Sequence, residues 1–319
     1  MRLDHTRVTL STALLAAMLA LSACGGGGGS MSVAPPAVLV PTDPGAPVTT
    51  NNTAADGRAW INYRRGQASL AALSENVLLD KAAQAHSDYL RANNVVQHEE
   101  TPGQSGFTGA SLDRRLAAAG YSFTPNASYA FGEVISATSS TSGFYMAEEL
   151  ITAIYHRFVI FEPKFKDIGT GASTNASGYS YFTADFTASG GYGAGLGAGK
   201  LATWPYNGQT AVPPNFLSDF EEPDPVPNLN EVGYPISVHA DIDAVLTVTS
   251  FTVRQRGAGS DLPVRLLTHA SDAKTVVSAA AIIPLSRLKS GTTYDVTFSG
   301  AMGTAGSLPV TRTWSFTTK

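Results

Sequence analysis

A single cysteine, Cys24, stands in a chain of 319 residues, so no internal disulfide can form and a disulfide-stapled fold is excluded. Charge is scarce as well. Asp, Glu, Lys and Arg make up 14% of the chain, against roughly 25% in an average soluble domain. Basic clusters are missing and the formal net charge is −4, which makes the chain a poor polyphosphate binder and speaks against nucleic acid as a partner. Nor is a nucleotide site indicated. Gly191-Tyr192-Gly193-Ala194-Gly195 has no third glycine at the required offset, and Gly199-Lys200 runs into Leu201 without the upstream glycine of a phosphate loop. In Gly103-Gln104-Ser105-Gly106 the second glycine falls one position too early for the elbow of a serine hydrolase. No repeat of 20–50 residues recurs, which excludes a solenoid or propeller. What is present is a hydrophobic fraction of 43% with 31 glycines and 18 prolines. That is enough apolar mass for true cores, a length that favours two domains, and a loop-rich character suited to an exported protein.

The N-terminus carries Arg2 and Arg7, then an apolar run from Leu10 to Leu21 that is too short to span a bilayer, then Leu21-Ser22-Ala23-Cys24. This is the layout of a signal peptide over 1–23, and its last four residues resemble a bacterial lipobox, which implies lipidation of Cys24 after cleavage. Gly25, in place of an aspartate, implies the outer membrane by resemblance to lipoprotein sorting. Residues 24–50 are rich in glycine and then proline, and read as a tether.

From residue 51 the pattern changes. Thr53-x-x-Asp56 suggests a cap for a helix through Trp60, Ile61 and Tyr63. Leu78, Leu79, Ala82, Ala83, His86, Tyr89 and Leu90 form one apolar stripe, predicting a helix over 76–92. Further helices are predicted over 111–119 and 144–155, and strands over 129–137, 166–171 and 179–186. Together these give an α+β domain over 51–188. The stretch 189–234, with its glycines and six prolines and with Pro235 just after it, reads as a connector. Residues 235–319 change to strands, predicted over 236–240, 246–253, 263–268, 294–299 and 313–317. Tyr294, Val296 and Phe298 alternate with polar residues, as do Trp314 and Phe316, so an all-β sandwich is expected there.

Five histidines remain beyond the signal segment. His86 lies in the apolar stripe and reads as a hydrogen-bonded core residue. His239 and His269 read as surface residues of the β domain. His98 follows the second helix, His156 ends the fourth, and Glu133 falls between them in Gly132-Glu133. Two imidazoles and a carboxylate suit a divalent metal with an open position, acid–base work on a polar substrate, or a hydrogen-bonded tie between strand and helix. Spacing alone does not separate the three.

The order of short segments resembles the CAP superfamily, named for cysteine-rich secretory proteins, antigen 5 and pathogenesis-related 1 proteins, in its cysteine-poor bacterial (SCP-like) branch. The segments are Ile61-Asn62-Tyr63-Arg64, His98, Arg115 through Gly120-Tyr121, Gly132-Glu133, His156-Arg157, Ile168-Gly169-Thr170-Gly171 and the strand 181–186. The resemblance implies an α-β-α sandwich with a cleft in which two histidines and two glutamates gather and sometimes hold zinc. His98 matches the first histidine, Glu133 the first glutamate and His156 the second histidine. The second glutamate would fall at Ala153; Glu148 and Glu149 lie near, and the role is not carried onto them. A metal, if held, would sit on His98 and His156. The C-terminal segment, ending Trp314-Ser315-Phe316-Thr317-Thr318, resembles bacterial Ig-like domains. The resemblance therefore implies an envelope-anchored binding module, non-catalytic, for a glycan, lipid or protein of the cell envelope. Its alternative is a metal-dependent hydrolase or peptidase using His98, His156 and Glu133.

Overall fold

The computed structural model describes residues 18–19, 45–303 and 308–319. The expected lipidation site, Cys24, and most of the signal and tether segments lie outside the described residues. Among those described, no helix is long and apolar enough to cross a membrane.

The first unit is built on five helices: α1 (Thr53–Gln67), α2 (Val77–Asn93), α3 (Leu112–Ala119), α4 (Gly143–Thr152) and α5 (Ile154–Ile160). Its sheet has the order β1-β3-β5-β4-β2, from β1 (Met18–Leu19), β2 (Ser74–Glu75), β3 (Ala130–Thr138), β4 (Asp167–Thr174) and β5 (Ser180–Ala188); β1 falls within the 1–23 segment expected to be cleaved, which leaves β3-β5-β4-β2 in a processed chain. The alternation of a strand sorts the two layers. On one face Phe131 packs with Leu79 and Leu116 of α2 and α3, and Ile135 with Tyr89 and Leu90 of α2. On the other, Val134 and Phe182 join Trp60, Phe144 and Leu150 of α1 and α4. The result is a helix–sheet–helix sandwich.

Local chemistry departs from two expectations. The cap of α1 is Asn52, whose side chain accepts the Ala55 N–H, rather than Thr53. Asp56 turns outward from the helix to collect Thr49 Oγ1, the Thr50 N–H and hydroxyl, and the Asn51 N–H at 2.7–3.1 Å, so the incoming chain is clamped at residue 49. The single helix expected over 144–155 is two, broken at Ala153, which is extended and serves as C-cap of α4 and N-cap of α5.

β4 pairs with β2 only through Asp167 and Ile168, so its outer edge beyond them needs other partners. α2 supplies them: Asp80 Oδ1 accepts the Thr170 N–H at 2.7 Å, and the Gln84 amide bonds both the N–H and the carbonyl of Ala172. Such proximity requires glycine. A Cβ on Gly171 would lie 2.2 Å from the Gln84 nitrogen, and one on Gly169 2.2 Å from that of Asp80. Gly171→Ala is therefore expected to destabilise the protein by about 2–3 kcal/mol, because helix backbone cannot yield as a side chain can. Thermal melts followed by circular dichroism check this, with Ala172→Gly as the control that leaves the crossing open.

The second unit has two four-stranded sheets. One has the order β12-β13-β10-β6, from β6 (Ala202–Trp204), β10 (Ile236–His239), β12 (Val264–Thr268) and β13 (Ala279–Pro284). The other is β11-β14-β15-β7, from β7 (Gln209–Val212), β11 (Thr247–Gln255), β14 (Thr293–Met302) and β15 (Leu308–Thr318). A small hairpin joins β8 (Asn215–Leu217) to β9 (Glu231–Gly233). The expected connector is thus structured: β6 forms an edge of one sheet against β10, and β7 runs parallel to β15 at an edge of the other.

The two units share a core. Ile236, Val238, Ala280 and Ile282 face the second sheet, where Phe251, Val253, Val296, Phe298 and Phe316 are buried. The opposite side of the first sheet receives the helical unit: Ala279, Ala281 and Ile283 pack with Ile154, Tyr155 and Phe158 of α5. His239, expected at the surface, is 2% exposed and lies edge-on to Phe158 and Phe161. Burial, with the Arg157 and Arg65 charges adding to it, pushes its pKa down to about 3, and its Nε2 pairs with Ser237 Oγ at 2.9 Å.

Candidate functional site

His98 and Glu133 meet. His98, in the loop after α2, places Nδ1 2.8 Å from Glu133 Oε1 on β3, and both residues are buried. Arg115, from α3, completes the group: Nη2 donates to Glu133 Oε2 and Nη1 to the His98 carbonyl, each at 2.6 Å. His86 stands behind them, its Nδ1 2.9 Å from Glu100 Oε1 and its Nε2 3.0 Å from the Gln97 carbonyl. Glu100 also accepts the N–H groups of Thr108 and Gly109, which folds the 100–109 loop over the cluster. Burial pushes the Glu133 carboxyl up, but Arg115, His86 and His98 outweigh it and hold the group well below the usual carboxylate range. Directly across the strand pair from Glu133 is Asp185. Burial, then the Glu133 charge, raises its pKa well above the usual range against the opposing Arg115 charge, and among the described residues neither of its oxygens accepts a hydrogen bond.

Sequence reasoning missed Arg115 as a member of this group, although a signal was there. Leu112, Leu116 and Ala119 form the inward stripe of α3 and Arg115 lies on it, so a carboxylate had to await its charge.

His156 is not part of this cluster. Ser136, three residues beyond Glu133 on unbroken β3, points to the other face of the sheet and donates to Glu149 Oε1 of α4. His156 is near enough for its charge to act on Glu149. Burial raises the Glu149 pKa to about 7 against the opposing effects of Ser136, Tyr145 and His156. The direct partner of His156 comes from the second unit: Glu221 Oε1 lies 3.2 Å from Nδ1. The same carboxylate accepts the N–H groups of Ile154, Tyr155 and His156, satisfying the first turn of α5, while His156 Nε2 is buried with no hydrogen-bond partner among the described residues. The three sequence candidates are therefore divided between two faces of one sheet.

This division bears on the zinc that the family resemblance implies. The donors do not fit it. His98 Nδ1 is engaged by Glu133, the second oxygen of Glu133 by Arg115, whose fixed positive charge opposes a divalent cation, and His156 lies across the sheet. Among the described residues, no group of three His, Cys, Asp or Glu side chains is placed to hold a metal ion.

Residues 59–186 match the model of the cysteine-rich secretory protein family, CAP. Residues 59–186 are a CAP domain. Among solved structures, the chain is similar to an extracellular protein containing an SCP domain from Bacillus anthracis, with 21% identity and a TM-score of 0.36, covering 44% of each chain. It is also similar to an outer surface protein from Borrelia burgdorferi, with 15% identity and a TM-score of 0.35, over 41% of this chain and 89% of that one. A cysteine-rich secretory protein from Staphylococcus aureus matches at 15% identity and a TM-score of 0.30, over 44% of this chain and 40% of that one. This chain thus spans less than half the length of the Bacillus and Staphylococcus proteins. No curated protein matches it. The CAP domain holds both His98–Glu133 and His156–Glu149, each pair on its own face, and the β-rich C-terminal region reaches into the second pair through Glu221.

Proposed function

We propose that the protein is an exported binding module, anchored through a lipid on Cys24, whose CAP domain recognises a glycan, lipid or protein of the cell envelope without altering it. The Arg115–Glu133–His98 lock carries the non-catalytic part of this reading. A general base must be able to take up a proton near the working pH and reach its substrate. Glu133 is buried, bonded through both oxygens and held far below neutral pKa values. The hydrolase alternative also asks Glu133 and His156 to act on one water, and they lie on opposite faces of β3 and β5. The C-terminal region, read as an Ig-like module, presents the CAP domain; its two packed sheets and the terminal Trp314-Ser315-Phe316 strand support that reading.

One experiment separates binding from hydrolysis. The full chain, immobilised, is incubated with sacculi, lipid vesicles and detergent-extracted envelope proteins in separate arms, and the retained material is eluted and weighed by mass spectrometry. Retention of one class at unchanged mass is the expected result. No retention in any arm overturns the binding reading, and cleaved products that vanish with His156→Ala favour the hydrolase. Labelling cells with radioactive palmitate tests the anchor: label is expected on the wild type and absent from Cys24→Ala.

A further inference from the structure

Between the CAP domain and the C-terminal region lies a cavity of about 180 Å³, lined by neither His98–Glu133 nor His156–Glu149. Phe158 and Phe165 form one side, and Ile242 with Val276 and Val277 of the β12–β13 loop forms the other. Its volume suits a single ring with a short side chain, since a cavity of roughly 150 Å³ admits benzene.

One wall is not apolar. Glu162, 6% exposed, lines the cavity just beyond α5. Its Oε1 accepts the N–H groups of Lys164 at 2.9 Å and Ile242 at 3.1 Å, which fixes the carboxyl, while Oε2 makes no hydrogen bond among the described residues. Among the described residues, no neighbouring cation bonds the Glu162 carboxyl. Arg65 donates to the carbonyls of Ala71, Ile160 and Glu162, and not to the carboxylate. Lys164 Nζ pairs with Asp243 at 2.6 Å and lies 4.0 Å from Asp241. Lys274 stands exposed at the rim. A buried, oriented carboxyl with one open oxygen in an apolar chamber lacks a cation on a small apolar body.

We infer that this cavity is a binding site for a small primary amine with an aromatic or short aliphatic body, its ammonium held by Glu162 Oε2 and its body by Phe158, Phe165 and Ile242. Both units of the chain contribute walls, so the site exists only when they are joined. Empty, the carboxyl has its pKa raised to about 8, chiefly by burial, with Asp241 adding to it and two backbone N–H groups and Arg65 opposing. An entering ammonium supplies the missing charge and returns it to the ionised form.

The test uses the full chain and three probes of one size: benzylamine, ethylbenzene and phenylacetate, titrated by calorimetry at pH 7. Benzylamine is expected to bind at least tenfold more tightly than ethylbenzene, with phenylacetate weakest. Glu162→Gln is expected to erase the preference for the amine while ethylbenzene still binds. Equal affinity for amine and hydrocarbon, tighter binding of phenylacetate, or an amine affinity unchanged in Glu162→Gln overturns the inference. If that variant does not fold, carbon NMR of the Glu162 carboxyl in the wild type decides. Saturating benzylamine must move its resonance to the ionised position, and an unmoved resonance overturns the proposal.

Discussion

Glu133→Gln is expected to destabilise the protein by about 3–5 kcal/mol in chemical denaturation, the usual cost of removing one partner of a buried ion pair. Asp185→Asn, directly across the strands, is expected to leave stability unchanged or raise it. The two carboxyls are neighbours in one buried cluster, and their environments divide their roles. Glu133 carries the charge that balances Arg115, whose side chain is fully buried, so its loss strands a guanidinium. Asp185 stays protonated beside it, and among the described residues its oxygens accept no hydrogen bond that an asparagine would forfeit. The effects will not add, because Asp185 can ionise toward Arg115 once Glu133 is gone. Asp185→Asn is thus expected to cost more in the Glu133→Gln background than alone.

The same pair sets opposite slopes with pH. Glu133 has a folded pKa below its unfolded value, so its contribution is present above about pH 4.5 and fades as the pH falls. Asp185 has a folded pKa well above its unfolded 3.8, so the unfolded chain binds fewer protons and stability declines as pH rises from about 4 toward the folded value. Melting curves between pH 2 and pH 8 should show Glu133→Gln flattening the loss of stability below about pH 4.5 and Asp185→Asn flattening the descent above it. A Glu133→Gln cost below about 1 kcal/mol would mean that water reaches Arg115.

The second large effect concerns the join between the units. A fragment of residues 45–189 is expected to aggregate or to melt far below the full chain, despite holding the whole CAP domain. Ile154, Tyr155, Phe158 and Phe161 are at most 3% exposed and pack on the C-terminal strands or residues leading into them. Fully exposing such side chains costs roughly 1.5–3 kcal/mol each, which for four of them approaches the whole stability of a domain. Arg157 would lose the Pro235 carbonyl and Ser237 Oγ, and the first turn of α5 would lose Glu221. Size-exclusion chromatography and dye binding to exposed apolar surface report the outcome. A monomeric fragment with the melting temperature of the full chain would show that the shared core contributes nothing.

Both units were legible where one face of an element meets water. The stripe of α2 and the alternation in β14 and β15 each imply a buried side, and the structure buries those sides. β13 was not legible, because Ala279–Pro284 is buried on both faces and so shows no alternation. The strands of the 189–234 segment were hidden by the prolines around them, since a strand of three or four residues at a sheet edge tolerates flanking residues that a central strand would not. At the site, the resemblance to CAP pointed to His98, Glu133 and His156 but not to their separation, which follows from the one-residue parity of β3. Glu221 was beyond reach of any local pattern: it acts on a helix 65 residues earlier in the chain.

The clamp of Thr49, Thr50 and Asn51 on Asp56 fixes where the folded body begins, and with it a ceiling. If Cys24 carries the lipid, about 25 residues separate the anchor from the clamp, a contour of at most about 3.3–3.6 Å each, or some 80–90 Å. With such an anchor, residue 49, where the folded body begins, cannot stand farther from the bilayer than that, and a partner's reach is bounded by that height plus the thickness of the body.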